Sequence, residues 1–573
     1  MLSRTSQLAG ACAVIVAYFL AFTYDGLGMS FSNDDLMNIQ FLHGWGERPI
    51  VSLIAHSLLV VTPVYRPLGG VVYRVLFAAF GLDPLPYRIF CFALLLANLG
   101  LAYRLFAALS GRRVTALFAL LAFSFHTCLA ELYFETSTLY DMLCFTFGVA
   151  ALIVYIGTRQ AGRPVAGWTL AAFLALYALA LDSKEMAITW PLIVVLYELV
   201  FHSHRGQLLL RAIPPALAAA LAAVYAIAKV AVPNVMSINS LYTPRLAPLF
   251  VIEQLRHYYS LLLWDAPVTL GWLAASLGAL FGIAAALRSK PMLFGWLFAN
   301  VALLPVCVIP GRSGFVWYVP YLGWALYVGA ALTLFAARLN QWSAKRLAAP
   351  PVVVHAALFL LIAVGLAFAQ RGPAKNFAAP YQLEQRRVQL LLAFARSALP
   401  ALPTSARILL AEDTFEPVDW RPLFLFRLAY RDASIWVDRP SHTADPVDPN
   451  DLSVYDAIIY AKQQPYRVVT PPPAQPLEPA TIHVSPRIVH RGERLHFSAE
   501  SYPNCPVDVE YRLLDDGLKR IGLARNWCSL DGAGQCEIPI PADAEPSRAE
   551  IRRMRFCHRQ WLPAVASFQI QGP

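Results

Sequence analysis

Apolar residues occupy the first two-thirds of the chain in long unbroken blocks. They do not form the narrow stripe of a helix that faces water on one side, and such blocks are the pattern of helices surrounded by lipid. Eleven stretches predict membrane-spanning helices, near residues 8–24, 87–109, 114–131, 139–158, 166–182, 186–201, 208–231, 263–287, 291–309, 316–337 and 351–370. Segment 25–86 is broken by polar residues, and its stretch 67–80 predicts a short helix along the membrane surface. The pattern changes after residue 370. Helices at 381–398 and near 421–429, with short apolar strands at 406–410 and 457–460, predict a small α/β domain over 371–470. The proline-rich linker Pro471-Pro472-Pro473-Ala474-Gln475-Pro476 follows. Beyond it, alternating strands such as Thr481-Ile482-His483-Val484 and Arg494-Leu495-His496-Phe497 predict an immunoglobulin-like β-sandwich over 480–573.

Composition agrees with a polytopic membrane domain over 1–370. Of 573 residues, 58% are apolar and 14% charged, with a mean hydropathy of +0.51. Soluble proteins carry about 25% charged residues, so an ordinary cytosolic globule is excluded. The 33 Phe, 25 Tyr and 13 Trp exclude a disordered chain. The net charge of +10 would suit nucleic acid, but its placement points elsewhere. With Arg4 on the cytoplasmic side, the loops bearing Arg112 and Arg113, Arg159 and Arg163, Arg205 and Arg211, Arg288 and Lys290, and Arg338, Lys345 and Arg346 all fall on that side. The acids do the reverse. Of thirteen before residue 371, only Glu198 falls near the cytoplasmic face. No apolar region precedes Cys12, so a first span is expected at the N-terminus rather than a lipoprotein leader.

An odd number of spans puts the tail outside. Cys12, Cys91, Cys128, Cys144 and Cys307 are scattered through apolar stretches, whereas Cys505, Cys528, Cys536 and Cys557 gather in the tail. Four cysteines there suit two disulfides in an oxidising compartment, with the pairing open. No P-loop, dinucleotide motif or HExxH helix occurs.

The outer face concentrates the residues able to do chemistry, since ionisable groups at membrane depth are costly and tend to be functional. Asp34 and Asp35, in Ser32-Asn33-Asp34-Asp35, pair two carboxylates at a water–membrane boundary. Adjacent like charges raise one pKa toward the range of a general base, and the same residues also suit a loop or a helix N-cap. Tyr65-Arg66-Pro67-Leu68 and Gly81-Leu82-Asp83-Pro84 follow. The next outer corners read His126-Thr127-Cys128-Leu129-Ala130-Glu131, then Asp141, and Leu181-Asp182-Ser183-Lys184-Glu185-Met186. His126 with Glu131 has the composition of a metal pair and equally of a hydrogen-bonded core histidine.

This ordered series over about residues 8–231 resembles the GT-C class of polytopic glycosyltransferases, closest to the branch of protein O-mannosyltransferases and transmembrane O-mannosyltransferases. The resemblance implies an inverting transferase that takes a sugar from a polyprenyl-phosphate-linked donor at the outer leaflet. Asp34 matches the position of the catalytic base, and Asp35 that of the second acid. The departing phosphate needs positive charge. Lys184 is placed for that, or for snorkelling beside Glu185. Arg312, in Pro310-Gly311-Arg312-Ser313-Gly314, is placed to clamp phosphate, or simply to solvate a loop. Arg66 is a further phosphate ligand or an anchor of the surface helix, and Arg256 and His257 are additional candidates. Glu131, Asp141 and Glu185 are placed to bind acceptor or to orient Lys184, or equally to form structural pairs. The branch implies no metal and no cofactor. The chain lacks the branch's tetratricopeptide array and its β-trefoil, so the acceptor, whether glycan, lipid or protein, stays open. Arginine-rich loops and the family variant suggest a bacterial inner membrane with a periplasmic tail. Rival readings are a lipid-linked-sugar flippase and a non-catalytic scaffold presenting a binding domain.

Overall fold

The structure, a computed structural model, describes residues 4–43, 50–57, 66–202, 208–231, 244–346, 350–403, 406–417, 419–433, 435–440, 452, 455–469, 482–499, 506–514, 520–540, 547–556 and 561–571. The chain divides into two compact units, Met1–Arg386 and Arg387–Pro573.

The first unit is helical. Among the described residues, seven helices are long and apolar enough to cross a membrane: Leu8–Gly28, Pro84–Ser110, Leu139–Gln160, Arg211–Lys229, Lys290–Cys307, Pro320–Trp342 and Pro351–Ala398. Each coincides with an expected span. The other four expected spans form the shorter helices Arg113–Ser124, Gly167–Ser183, Trp190–Phe201 and Leu270–Ala286. Large apolar side chains point outward along the bundle, among them Leu361 at 67%, Val364 at 66% and Phe368 at 83% exposure. Water does not tolerate so much apolar surface and lipid does, so this is an integral multi-pass membrane protein.

The boundaries that moved have local causes. The helix expected over 114–131 stops at Ser124, where Phe125 and His126 turn extended and short turns over 127–129 and 131–134 follow. Pro191 sits in the first turn of Trp190–Phe201, so residues 185–189 wind as a 3₁₀ turn instead of extending the helix backward. Helix Leu270–Ala286, whose predicted start lay at 263, instead begins after Thr269, which caps it by accepting from the Trp272 amide, with Pro267 in the loop before it. At the other extreme, Pro351–Ala398 is one helix of 48 residues. It runs through Pro373 and Pro380 and joins the stretch expected at 351–370 to that at 381–398. The predicted helix at 67–80 is present, started by Pro67 and ended at Gly81, whose φ is +54°.

Because successive helices alternate in direction, the turns fall at two ends of the bundle. One end gathers residues 29–38, 66, 83–88, 125–141, 182–189 and 308–319. The opposite end holds Arg112, Arg159, Glu198 and Lys290. There Glu198, the one acid out of place in the sequence, accepts from Arg159 Nε at 2.7 Å and from Tyr155 Oη at 2.9 Å. The exception is therefore a paired charge.

The second unit has two parts. A four-stranded sheet of order β2-β1-β3-β4 comprises β1 (Arg407–Glu412), β2 (Trp436–Asp438), β3 (Ala457–Tyr460) and β4 (Arg467–Val469), with helix Arg421–Ala429 between the first two strands. β1 runs parallel to β2 and β3. The remaining strands are β5 (His483–Ser485), β6 (Ile488–His490), β7 (Arg494–Ser498), β8 (Pro506–Leu514), β9 (Arg520–Ser529), β10 (Gln535–Pro539), β11 (Ser547–Phe556) and β12 (Trp561–Gln571). They form a three-stranded sheet, β10-β7-β5, and a five-stranded sheet, β6-β12-β11-β8-β9. Leu495 and Phe497 of the first sheet and Val509, Ile551 and Phe568 of the second share one core. A disulfide joins Cys528 on β9 to Cys536 on β10 and so links the two sheets. Cys505 and Cys557 lie outside the described residues.

Helices Lys290–Cys307 and Pro320–Arg346 pack through glycines. A Cβ on Gly323 would lie 2.3 Å from the Gly295 carbonyl oxygen and 2.6 Å from the Ala299 nitrogen. Gly323→Val therefore has to push the two backbones apart. We expect a lower thermal midpoint in detergent and loss of a monodisperse peak. Gly271→Ala, where nothing lies within 4 Å, leaves both unchanged.

Candidate active site

The site begins with a short helix, Asn33–Met37, that follows the first span. Ser32 caps it. The Asp35 amide donates to Ser32 Oγ at 3.2 Å, and the Ser32 amide donates back to Asp35 Oδ2 at 2.9 Å, which is a complete capping box. Asp35 is fully buried. Its Oδ1 accepts from the Ser137 amide at 2.5 Å, and its Oδ2 lies 3.4 Å from Arg88. Arg88 is 1% exposed and also donates to the carbonyls of Met29 and Ser30. Asp35 is thus occupied on every side with holding the segment in place.

Asp34, one residue earlier, is exposed. The protein around it still strips away much of its hydration. That desolvation, and then the Asp35 carboxylate, hold its carboxyl above the ordinary carboxylate range, while Arg312 pulls it down. The two adjacent acids of the sequence motif therefore have separate surroundings: one accessible and polarised, the other locked.

Two ion pairs line the same end of the bundle, Arg66 with a partly buried Glu185 and Lys184 with a buried Asp141. Arg66 has a left-handed backbone, φ 45°, at the start of helix Pro67–Phe80. Its guanidinium donates through Nε to Glu185 Oε1 at 3.3 Å and through Nη2 to Oε2 at 2.6 Å, and it lies over the Tyr140 ring at 5.0 Å. Burial works to raise the Glu185 carboxyl, but Arg66 outweighs it, with help from Lys229, and brings it down to about 2. Lys184 Nζ donates to Asp141 Oδ2 at 2.5 Å and lies 4.4 Å from the Phe315 ring centroid. Burial lowers the Lys184 ammonium and Asp141 opposes that shift. Tyr140 joins this wall to the Asp34 helix, since its hydroxyl donates to Asn38 Oδ1 at 3.1 Å.

The loop after helix Arg113–Ser124 supplies a third wall. Glu131 accepts from Ser313 Oγ at 2.7 Å, and Glu135 accepts from Ser137 Oγ at 2.7 Å. The Tyr381 phenol interacts with both carboxyls. Burial is the main cause that pushes Glu131 up to about 7, and burial followed by the Asp35 charge pushes Glu135 up to about 8. Gly314 lets the Arg312 loop approach, for a Cβ there would sit 1.9 Å from the Cys128 carbonyl oxygen. Arg312 is further fixed through its backbone: its amide donates to Tyr258 Oη at 3.2 Å, and its carbonyl meets His257 Nε2 at 3.3 Å.

The residues expected at the site therefore divide. Asp34, Asp35, Arg66, Glu131, Asp141, Lys184, Glu185 and Arg312 come together. His257 supports the Arg312 loop rather than standing among them. Arg256 turns to Glu253 at 2.7 Å and to the Val268 carbonyl at 3.2 Å. His126 is buried, burial lowers its imidazole to about 4, and its Nδ1 accepts from the Cys128 amide at 3.2 Å. Sequence reading passed over Arg88, Glu135, Ser313, Tyr381 and Lys229. Arg88 did carry a signal, a lone cation at the edge of an apolar run. Tyr381 carried none, since it lies some 250 residues from the acids it faces. Among the described residues, no group of three or more His, Cys, Asp or Glu is placed to hold a metal ion.

Solved structures similar to the chain include ArnT from Cupriavidus metallidurans bound to undecaprenyl phosphate, with a TM-score of 0.43 and 14% identity over 76% of this chain and 86% of ArnT. The archaeal oligosaccharyltransferase AglB from Archaeoglobus fulgidus, in complex with an inhibitory peptide and a dolichol-phosphate, matches at TM-score 0.41 and 9% identity over 96% of each chain. An Archaeoglobus fulgidus oligosaccharyltransferase complex with Zn and sulfate matches at 0.38 and 9%, over 99% of this chain and 100% of that one. No family model matches the chain, and no curated protein matches it.

Glu131 and Glu135 give the stability a direction with pH. Their carboxyls sit near 7 and 8 in the folded protein, above the ordinary value of 4.5. Between those limits the folded state binds more protons than the unfolded chain, so this contribution is fully present below about 4.5 and is lost as pH rises toward 8. Buried His126, lowered to about 4, works the other way up to about 6.5, so the fall is expected between about pH 6.5 and 8, where we expect the thermal midpoint in detergent to drop and Glu135→Gln to flatten the drop. A midpoint that rises between those two pH values would contradict both assignments.

Proposed function

We propose that the chain is an inverting, GT-C-like glycosyltransferase that moves a sugar from a polyprenyl-phosphate-linked donor to an acceptor at the outer face of a bacterial inner membrane. The observation that carries this reading is the contrast at Ser32–Asp35: a buried acid fixes the helix so that an accessible, raised carboxylate stands beside Arg312. A base that must take a proton near neutral pH needs such a setting. Asp34 accepts the proton of the acceptor hydroxyl as that oxygen bonds the anomeric carbon and the bond to the donor phosphate breaks. The phosphate leaves with its own negative charge, so it needs cations rather than an acid. Arg312 is the cation that acts on Asp34 most directly, and Lys184 and Arg66 stand behind it, each neutralised in the resting state by Asp141 and Glu185.

A lipid donor also needs an apolar path. A groove of about 570 Å³ lies between helices Trp190–Phe201 and Leu208–Ala231, lined by Ile188, Leu192, Val195 and a row of alanines that ends at Ala226. Ala226 lies one turn from Lys229, and Ile188 one turn from Glu185. This supports an isoprenoid chain lying along the bundle with its phosphate at the charged end. The sugar, the O-mannosyltransferase-like branch and the nature of the acceptor are carried by the motif series alone. On the same reading the tail, with its α/β part over 371–470 and its sandwich over 480–573, is periplasmic. A flippase would place charges along a path through the bilayer, and the gathering of acids at one end of the bundle argues against it.

The test uses the full chain in nanodiscs with a panel of polyprenyl-phosphate sugars and periplasmic-side acceptors, following release of polyprenyl phosphate. Asp34→Asn should slow release by roughly 10²–10⁴-fold, because the amide keeps the shape and cannot take the proton. Arg312→Met should slow it as well. Unchanged release in Asp34→Asn, or no donor consumed by the wild type, would remove the proposal.

A further inference from the structure

The loop between helices Pro248–Leu262 and Leu270–Ala286 holds two consecutive non-glycine residues in the left-handed region, Trp264 at φ 56° and Asp265 at φ 59°. Side chains avoid that conformation, and residues held in it cluster where a structure must present a group in a fixed way. Trp264 is held from two directions. Its indole Nε1 donates to Gln370 Oε1 at 3.2 Å, the same oxygen that accepts from the Thr127 amide at 3.0 Å and from Thr127 Oγ1 at 2.5 Å. One indole face is stacked on the buried His126 ring, with centroids 5.3 Å apart and planes 25° apart. Even so, 43% of the residue stays open. The next residue, Asp265, is exposed, and among the described residues its carboxylate has no hydrogen-bond partner.

An interfacial tryptophan that merely anchors a helix needs neither the strained backbone nor the buried amide. We propose that Trp264 and Asp265 form a subsite for the sugar rings of a glycan acceptor. This rests on the transferase reading and names the acceptor class that it leaves open. A rigid flat apolar face beside a carboxylate matches a hexopyranose, whose C–H face stacks on the indole while its ring hydroxyls donate to the acid. A cationic ligand would also suit an indole and an acid, and because the neighbouring Arg256 is already paired with Glu253, the choline surface below decides between the two. The platform adjoins the chemistry. His126 opens the loop that carries Glu131, and Glu131 holds Ser313 next to Arg312.

The experiment passes the full chain in nanodiscs over surfaces bearing maltotriose, cellotriose or mannotriose, with empty nanodiscs as the blank. Wild type should show saturable binding to at least one of them. Trp264→Ala and Asp265→Asn should weaken it by roughly tenfold or more, and Trp264→Phe by less. Asp265→Asn keeps the shape of the loop and decides the matter if Trp264→Ala does not fold, while Trp264→Phe keeps an aromatic face without the Nε1 bond to Gln370. Wild type that holds none of the sugars, or Trp264→Ala and Asp265→Asn that bind as wild type does, would overturn the subsite. So would retention on a choline surface in place of the sugars. Asp34-dependent release of polyprenyl phosphate without sugar binding sinks the subsite and leaves the transferase reading standing. Sugar binding without release does the opposite.

Discussion

The organisation of the charged end depends on one buried cation. Arg88 enters the bundle one turn into helix Pro84–Ser110 and is almost wholly removed from water. A guanidinium in that position is costly unless its donors are used; Arg88 directs Nε and Nη2 at two carbonyls of the chain after the first span and at Asp35, and among the described residues its Nη1 has no partner. Asp35 in turn closes the capping box and takes the Ser137 amide. The segment bearing Asp34 and the loop bearing Glu131 and Glu135 are therefore referenced to the same ion pair. The accessible acid has its place because its neighbour is never free to move.

Charge at this end is distributed by pairing, and the pairs differ in kind. Arg66 with Glu185 is a forked, bidentate contact that brings the acid down, whereas Glu131 and Glu135 meet only hydroxyl donors and are driven up by burial. Carboxyls with shifted affinities in both directions thus share one small region. Such divergence is what a site needs if one acid is to accept a proton while others hold cations in place.

Much of this was legible in the sequence because lipid imposes simple rules. Apolar blocks located seven of the expected spans as long helices, and the bias of basic loops foretold the two ends. The pairing of Glu198 with Arg159 explains the single exception. What the sequence left obscure was set by contacts far along the chain or by backbone geometry. Periodicity gives no hint that Gln370 receives Thr127 and Trp264, so the expected span takes in Trp264 and Asp265, whereas the helix begins seven residues later than expected. Adjacency likewise hid the division of labour between Asp34 and Asp35, because a capping box turns neighbouring side chains in different directions.

The groove beside helix Leu208–Ala231 is walled on one side by alanine after alanine. An alanine has no rotamers to lose, so an apolar chain laid against it imposes little side-chain ordering on the protein. It also offers few atoms for dispersion contact, and the hold on each segment of the chain is shallow. A smooth wall of this kind lets a long, flexible molecule slide in and out without remodelling its berth. On the transferase reading proposed above, that exchanges residence time for turnover, as suits a donor lipid replaced after every cycle.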